Sequence, residues 1–283
     1  MISSILRRLP SFKGKRRLAR LLLGDKIGTL RDCSIRGKYG CIIKVPNILE
    51  PIGFEIYING VYEKETIGFI SNRLLPGKIL LDIGANIGAI CIPVCKLNKG
   101  TKVIGVEAAP WVFQYLEFNA KENNISNITL INRAVTSESN ESVIFYGPRD
   151  KFGKGSMAPV FTSDGVNIES ITLDDLTGHL DSGDIGLIKM DIEGFEYRAF
   201  LGGTRLLTGE SAPDILFEFV DWAENAALAG SAGAAQALLI EFGYKIYRFR
   251  DGKLGSMVKS PLTVGACLLF ATKKSPSGIS TDR

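Results

Sequence analysis

ILLDIGANIGAIC, residues 79–91, joins an apolar run, a glycine turn and the opening of a helix. Ile79-Leu80-Leu81 is long enough for a strand buried on both faces, and Asp82 ends the run. Gly84, Asn86 and Gly88 make a tight turn, after which Ala89 to Ile92 begin a helix. A strand, a glycine turn and a helix in that order build a nucleotide-cofactor site. The glycines let a ligand approach the backbone, and the helix N-terminus favours polar or anionic groups. The plainer reading is a structural turn in an α/β protein.

Details of the turn discriminate between cofactors. A dinucleotide fingerprint is G-x-G-x-x-G, whose second glycine clears room for a pyrophosphate. Here the pattern is G-A-N-I-G, with Asn86 in the crowded position. That disfavours a pyrophosphate and with it an NAD-dependent oxidoreductase, for which a well-placed His or a Tyr-x-x-x-Lys pair is also missing. Asp82, at the carboxyl end of the strand, suits a ligand with a cationic amine. S-adenosylmethionine (SAM) has that amine and carries no phosphate.

The 283 residues are 45% apolar, enough for a full core, and allow one large domain or a domain with a small cap. Net charge is +4 but uneven: residues 1–26 hold eight Lys or Arg against Asp25, so the remainder is slightly acidic. This pattern describes a basic arm on an acidic body rather than a nucleic-acid-binding domain. Five cysteines without a C-x-x-C pair, and one histidine, argue against a zinc site and fit a reducing compartment. With no run of 18 apolar residues and no signal-type leader, a cytoplasmic protein is expected.

In the arm, Ile5-Leu6, Leu18 and Leu21-Leu22-Leu23 interleave with arginines, and Pro10 and Gly14 break the run. The preferred reading is a solvated leader whose leucines dock on the body. Its rival is a peripheral contact with an anionic membrane surface. Residues 40–60 read as hairpins, with strands at Cys41–Val45 and Phe54–Ile58 and a turn at Asn59-Gly60. A helix is expected from Tyr62 to Leu75, closed by Pro76-Gly77. Residues 1–75 thus read as an α+β cap, which could pair in a homodimer, and 76–283 as the main domain.

The main domain alternates strands and helices, the pattern of a parallel sheet covered on both faces. Strands are expected at Lys102–Val106, Ile128–Ile131, Ile185–Met190, Ile215–Phe219, Tyr244–Phe249 and Ala266–Phe270, with helices at Pro110–Asn123 and Ala234–Phe242. Ser142–Tyr146 and Asn167–Thr172 read as antiparallel strands flanking a long loop at 147–165. Loops of that length usually carry function. Ligands of open α/β sheets bind beyond the carboxyl ends of the strands. The acids there are Asp82, Glu107, Asp191 with Glu193, and Glu218. Glu107 follows Gly88 by 19 residues, the spacing of an acid that accepts hydrogen bonds from both ribose hydroxyls.

Residues 79–220 closely resemble the FkbM-type SAM-dependent methyltransferases. The likeness rests on LLDIGANIGAICIP (80–93), VIGVEAAPWVFQYLEFNAKENN (103–124), NRAV (132–135), ITLDDL (171–176), LIKMDIEGFEYRAFLGG (187–203) and PDILFEF (213–219), with Gly60-Val61-Tyr62-Glu63 ahead of them. Most telling is 189–196, which is similar to the family's K-x-D-x-E-G-x-E signature. The resemblance implies a Rossmann-like, seven-stranded methyltransferase sheet, mostly parallel with the last strand antiparallel, and SAM as methyl donor. By position, Asp82, Gly84, Asn86 and Gly88 match the methionine-binding turn and Glu107 the ribose acid. Ala108 and Ala134 match the adenine walls, and Asp191 the acid between methionine and acceptor. It further implies a hydroxyl acceptor, on a sugar, a glycan or another small molecule such as a natural product. One departure is Gly153-Lys154-Gly155-Ser156-Met157, where family members often carry two small hydroxyl residues.

A hydroxyl acceptor has to lose a proton near the transition state, so a base helps. His179 falls in a turn before the fourth parallel strand and reads as a surface residue. Carboxylates remain: Asp191 or Glu193, then Glu218, because neighbouring acids raise one another's pKa. Glu193 could instead cap the next helix. Glu63 could reach the site, on resemblance alone. A non-catalytic SAM-binding partner of a glycan-assembly complex would carry the same cofactor residues.

Overall fold

A computed structural model describes residues 6–7, 9, 12, 14–181, 183–227 and 231–274, the Asp25 side chain excepted. Helix α1 (Lys15–Leu23) leads into an antiparallel pair, β1 (Arg31–Arg36) and β2 (Ile42–Asn47). Helices α2 (Pro51–Asn59) and α3 (Lys64–Arg73) follow. Then come β3 (Ile79–Ile83), α4 (Cys91–Leu97), β4 (Lys102–Val106), α5 (Pro110–Glu122) and β5 (Ile128–Ile131). A small sheet is inserted next, built from β6 (Ala134–Val135), β7 (Ser142–Tyr146) and β8 (Gly165–Ile171). The chain continues through α6 (Leu173–Leu176), β9 (Ile185–Met190), α7 (Glu196–Leu201), α8 (Thr204–Thr208) and β10 (Asp214–Val220). It closes with α9 (Asp221–Ala227), α10 (Ala234–Glu241), β11 (Lys245–Arg250), β12 (Lys253–Met257) and β13 (Ala266–Thr272).

The main sheet has the order β12-β11-β13-β10-β9-β3-β4-β5. From β10 to β5 all pairings are parallel, and β13 runs antiparallel to both of its neighbours. This is the expected α/β methyltransferase-type sheet with one edge strand more. The eighth strand, β12, returns from β11 through Asp251-Gly252, both at positive φ (50° and 76°). That dipeptide suits a tight hairpin, but β12 is almost wholly exposed and its two apolar residues, Leu254 and Met257, do not alternate, so no strand pattern marks it.

Both sheet faces are covered, and the alternation along each strand sorts side chains between two cores. Leu80, Leu187 and Leu216 face a cluster that includes Ile92, Val103 and Leu116. Leu81, Ile188 and Phe217 face the other, with Ala199, Phe200 and Leu239. Buried residues of the first 75, among them Leu6, Leu23, Val45, Phe54 and Ile67, belong to the first cluster.

The N-terminal segment departs from expectation at Phe54–Ile58, which is helical rather than extended. Pro51 stands in the first turn, where its missing N–H costs nothing. Gly60, at φ 73°, ends the helix, its N–H donating to Ile56 O. Asn59-Gly60 is therefore a helix end, and the partner of β2 is the earlier strand β1. In the arm the leucines divide: Leu6 and Leu23 are buried, while Leu18, Leu21 and Leu22 are exposed. Ile5 lies outside the described residues. No helix among them is long and apolar enough to cross a membrane.

Candidate active site

The sheet order reverses between β3 and β9, and a cleft of about 360 Å³ opens beyond the carboxyl ends of the strands there. Its floor is the turn after β3. Gly84 and Ala85 both donate their N–H to Val106 O, at 2.9 Å each. A Cβ at Gly84 would lie 2.0 Å from Asp191 O, and its φ is +74°, so only glycine lets β3 and β9 end this close together.

Glu107, 7% exposed, is fixed at the end of β4. Its Oε2 accepts from Asn86 N and its Oε1 from Ala109 N, both at 2.9 Å. Burial lifts its pKa to about 7, against the pull of those two N–H groups. Asn132 Nδ2 donates to Glu107 O and Ala108 O, pinning the same loop from below. Each carboxylate oxygen keeps a second acceptor site, as ribose hydroxyls require.

Asn86 sits at φ 52° and points its amide at the long loop, donating to Phe152 O at 2.7 Å. Ser156 Oγ donates to Glu193 O, and Ser156 pairs with Tyr146 through both main-chain groups. The 147–165 loop is thereby stitched to the cleft at two points. Phe152, Lys154 and Met157 line it, whereas Ser156 is spent on the backbone.

The acids after β9 divide their tasks. Glu196, fully buried, accepts from Ile192 N at 3.0 Å and has a pKa near 8 through burial. Glu193 gives α7 no cap hydrogen bond; the acid in the first turn of that helix is Glu196, which ties back the 192–195 turn. Glu193 lines the cleft at φ 51°, a backbone region uncommon for a side-chain-bearing residue. Its pKa rises to about 7 through burial first and then Asp191, with Lys154 opposing. Glu218 hydrogen-bonds Asp191, and burial and that neighbour hold it well above the usual carboxylate range. Glu218 therefore keeps its proton at neutral pH.

Of the residues singled out in the sequence, Gly84, Asn86, Glu107, Ala108, Ala134, Asp191, Glu193 and Glu218 line one cleft. Asp82 does not. It is fully buried, and its amine partner comes from the protein: Lys189 Nζ stands 3.4 Å from Asp82 Oδ1 and 3.8 Å from Asp191 Oδ2. The same ammonium donates to Gly84 O at 3.0 Å, under the turn. Gly88 also lies off the cleft, packed against Ile92 and Leu116. Glu63 is not a wall residue, but its neighbour Tyr62 is; so are Glu50 and Ile52 at the start of α2. Sequence reasoning missed these three, together with Lys154 and Lys189. Only Lys189, a lone cation in an apolar strand, left a signal. His179 is exposed on the amino side of β9.

Gly194 is the second glycine that the geometry demands. At φ +97°, its Cβ would meet Ala223 C and O at 2.4 Å. Gly194→Ala is expected to cost about 1–3 kcal/mol from crowding alone, with backbone strain added. Gly68→Ala, in α3 with open space around it, is expected to be neutral or stabilising. Thermal denaturation of the two variants checks the contrast.

The FkbM methyltransferase domain is matched over residues 82–246, more than half of the chain. The chain belongs to the FkbM methyltransferase family. The matched domain is a methyltransferase domain, of a family whose methyl donor is SAM. A curated relative is the tRNA(Phe) (4-demethylwyosine(37)-C(7)) aminocarboxypropyltransferase of Methanocaldococcus jannaschii, 31% identical over 97 residues. That match covers 34% of this chain and 35% of the relative, so the methyltransferase spans about a third of the relative's length. Similar solved structures include a precorrin-6y C5,15-methyltransferase from Geobacter metallireducens, 13% identical, covering 76% of this chain and 93% of that one at a TM-score of 0.44. Another is a SAM-dependent O-methyltransferase from Thermotoga maritima, 15% identical, with coverages of 88% and 80% and a TM-score of 0.44.

The donor set fits SAM. Five carboxylates (Glu50, Glu107, Asp191, Glu193, Glu218) line the cleft against three cations (Arg133, Lys154, Lys189), an environment for a cationic ligand rather than a pyrophosphate. The same acids make stability depend on pH. Glu107, Glu193 and Glu196 rise from 4.5 to about 7, 7 and 8, so the folded state binds protons more tightly than the unfolded one. Their contribution is complete below 4.5 and is lost as pH climbs through 7 to 8. The melting temperature of the cofactor-free protein is expected to fall across that window. Glu196→Gln, which keeps an acceptor for Ile192 N, should flatten the decline.

Proposed function

We propose that the methyltransferase transfers its methyl group to a hydroxyl of a sugar, a glycan or a natural product, with Glu193 as the general base. The observation that carries this reading is Glu193 itself: a cleft-lining carboxylate with a pKa of about 7, close to the ideal for proton abstraction at neutral pH. A hydroxyl must shed a proton, and no histidine lines the cleft to take it. Glu218, which burial and Asp191 keep protonated at neutral pH, adds no second charge of its own beside Glu193.

In this reading Gly84, Asn86 and Asp191 hold the methionine part of SAM, Glu107 the ribose, and Ala108 and Ala134 the adenine. SAM supplies an electrophilic sulfonium methyl. The protein's own task is to align the acceptor oxygen, exclude water and take one proton at a Glu193 oxygen. Alignment alone can contribute about 7–11 kcal/mol. Glu50, Tyr62 and Lys154 would contact the acceptor from the N-terminal segment and the 147–165 loop. All five cysteines are free thiols, which supports a cytoplasmic setting.

Methyl-labelled SAM incubated with the protein and with glycan or small-metabolite extracts tests the proposal by mass spectrometry. A labelled methyl ether supports it. Label on nitrogen or carbon, or none in any fraction, rejects it.

A further inference from the structure

Helix α1 presents three distinct sides. Lys15, Ala19 and Leu23, spaced four apart, face the body and are buried. At 100° per residue, Arg16, Arg20 and Arg17 fall on one flank of the remaining surface and Leu21, Leu18 and Leu22 on the other. The arginine flank meets α2 at its inner edge: Arg16 pairs with Glu55, and Arg20 lies 5.4 Å over the Phe54 ring. Arg7, ahead of the helix, donates to Tyr57 O at 3.0 Å. The leucines have no such partners, being 36%, 81% and 50% exposed at 18, 21 and 22. Phe12, one turn earlier, is 44% exposed.

We propose that this face docks on an anionic lipid surface, with the leucines entering the headgroup boundary and the arginines meeting lipid phosphates. An apolar stripe beside a cationic stripe on one fixed helix is what an interfacial helix requires. Charge selects the occupant. Residues 14–31 carry five exposed cations, Arg16, Arg17, Arg20, Lys26 and Arg31, of which Arg16 is paired with Glu55, against Asp25 in the sequence. A second copy meeting this face would set cation against cation. A nucleic acid would satisfy the arginines but leave the leucines in water. Only an anionic bilayer satisfies both. The docked helix rests on α2, whose first residues, Pro51 and Ile52, line the cleft, so the cleft rim is one helix away from the proposed surface. The inference is independent of which atom accepts the methyl group.

Co-sedimentation of the full chain with vesicles tests it. Binding is expected to vesicles of phosphatidylcholine mixed with phosphatidylglycerol, not to phosphatidylcholine alone, and is expected to weaken with salt. The double variant Leu21→Glu/Leu22→Glu should lose binding at least about ten-fold. Arg17→Glu should weaken it about five-fold or more for each unit of charge removed. Both variants alter exposed positions, so their melting temperatures and SAM affinities should match the parent. Failure to bind the anionic vesicles, or undiminished binding by the leucine variant, overturns the proposal. So would a dimer by light scattering, or a tRNA complex, appearing in place of vesicle binding.

Discussion

Glu193→Gln is expected to lower turnover by about 10²–10⁴-fold while SAM affinity, read by calorimetry, stays near the parent value. Glutamine keeps the size of the side chain and its place on the cleft wall but cannot accept a proton at neutral pH. The parent's kcat should fall as pH drops below about 7, where Glu193 takes up its proton. The variant's residual rate should lack that inflection. A structural role for Glu193 would instead leave the pH profile of turnover in place. Asp191→Asn is a less selective probe, since Asp191 hydrogen-bonds Glu218 and lies 3.8 Å from Lys189. An unchanged kcat in Glu193→Gln, measured by single-turnover transfer of labelled methyl, would remove Glu193 from the chemistry. Glu50, whose pKa burial also raises, would then be the next wall carboxylate to test.

The parallel strands were legible because burial on both faces leaves an unbroken apolar run, as in Ile79–Leu81 and Ile215–Phe217. The same logic misleads at Phe54–Ile58. Phe54, Ile56 and Ile58 are all buried while the segment is helical, and a helix wrapped by the core shows no clean 3.6-residue stripe. Its true boundaries were written in Pro51 and Gly60, which carry more information there than the apolar spacing. In β12 the reverse holds: the strand lacks an apolar face, and only Asp251-Gly252 betrays it.

At the site, acids ending strands could be placed from the chain alone, because strand ends converge at one edge of the sheet. What they face could not. Asp82 and Lys189 are register partners on adjacent parallel strands, so their side chains share one face and meet. Without the register, Asp82 reads as free to bind a ligand amine. Glu50, Tyr62 and Lys154 reach the cleft from segments far from the glycine turn in sequence, and no local pattern marks such convergence.

Lys189→Met is expected to be the most destabilising single change around the cleft, costing about 3–5 kcal/mol at neutral pH. Lys189 is 9% exposed in its side chain and Asp82 not at all, so the substitution strands a carboxylate with no counter-charge. Apart from Lys189, Asp82 has only the weak Cys91 thiol donor to fall back on. The ammonium stays charged in the parent because Asp82, Asp191 and Glu63 outweigh its burial. The loss should therefore shrink as pH falls, since burial raises the Asp82 pKa and protonation removes the stranded charge. Asp82→Asn added to Lys189→Met should recover part of the stability, as a neutral amide is cheaper to bury than an unpaired anion. SAM affinity should stay reduced in the double variant, because Gly84 O has still lost the donor that sets the turn. Chemical denaturation at acid and neutral pH, with SAM calorimetry on the same samples, separates the two effects. If the single variant were as stable as the parent at neutral pH, or the double variant no better than the single, the Asp82–Lys189 pair would not be what holds β3 and β9 in register beneath the cofactor.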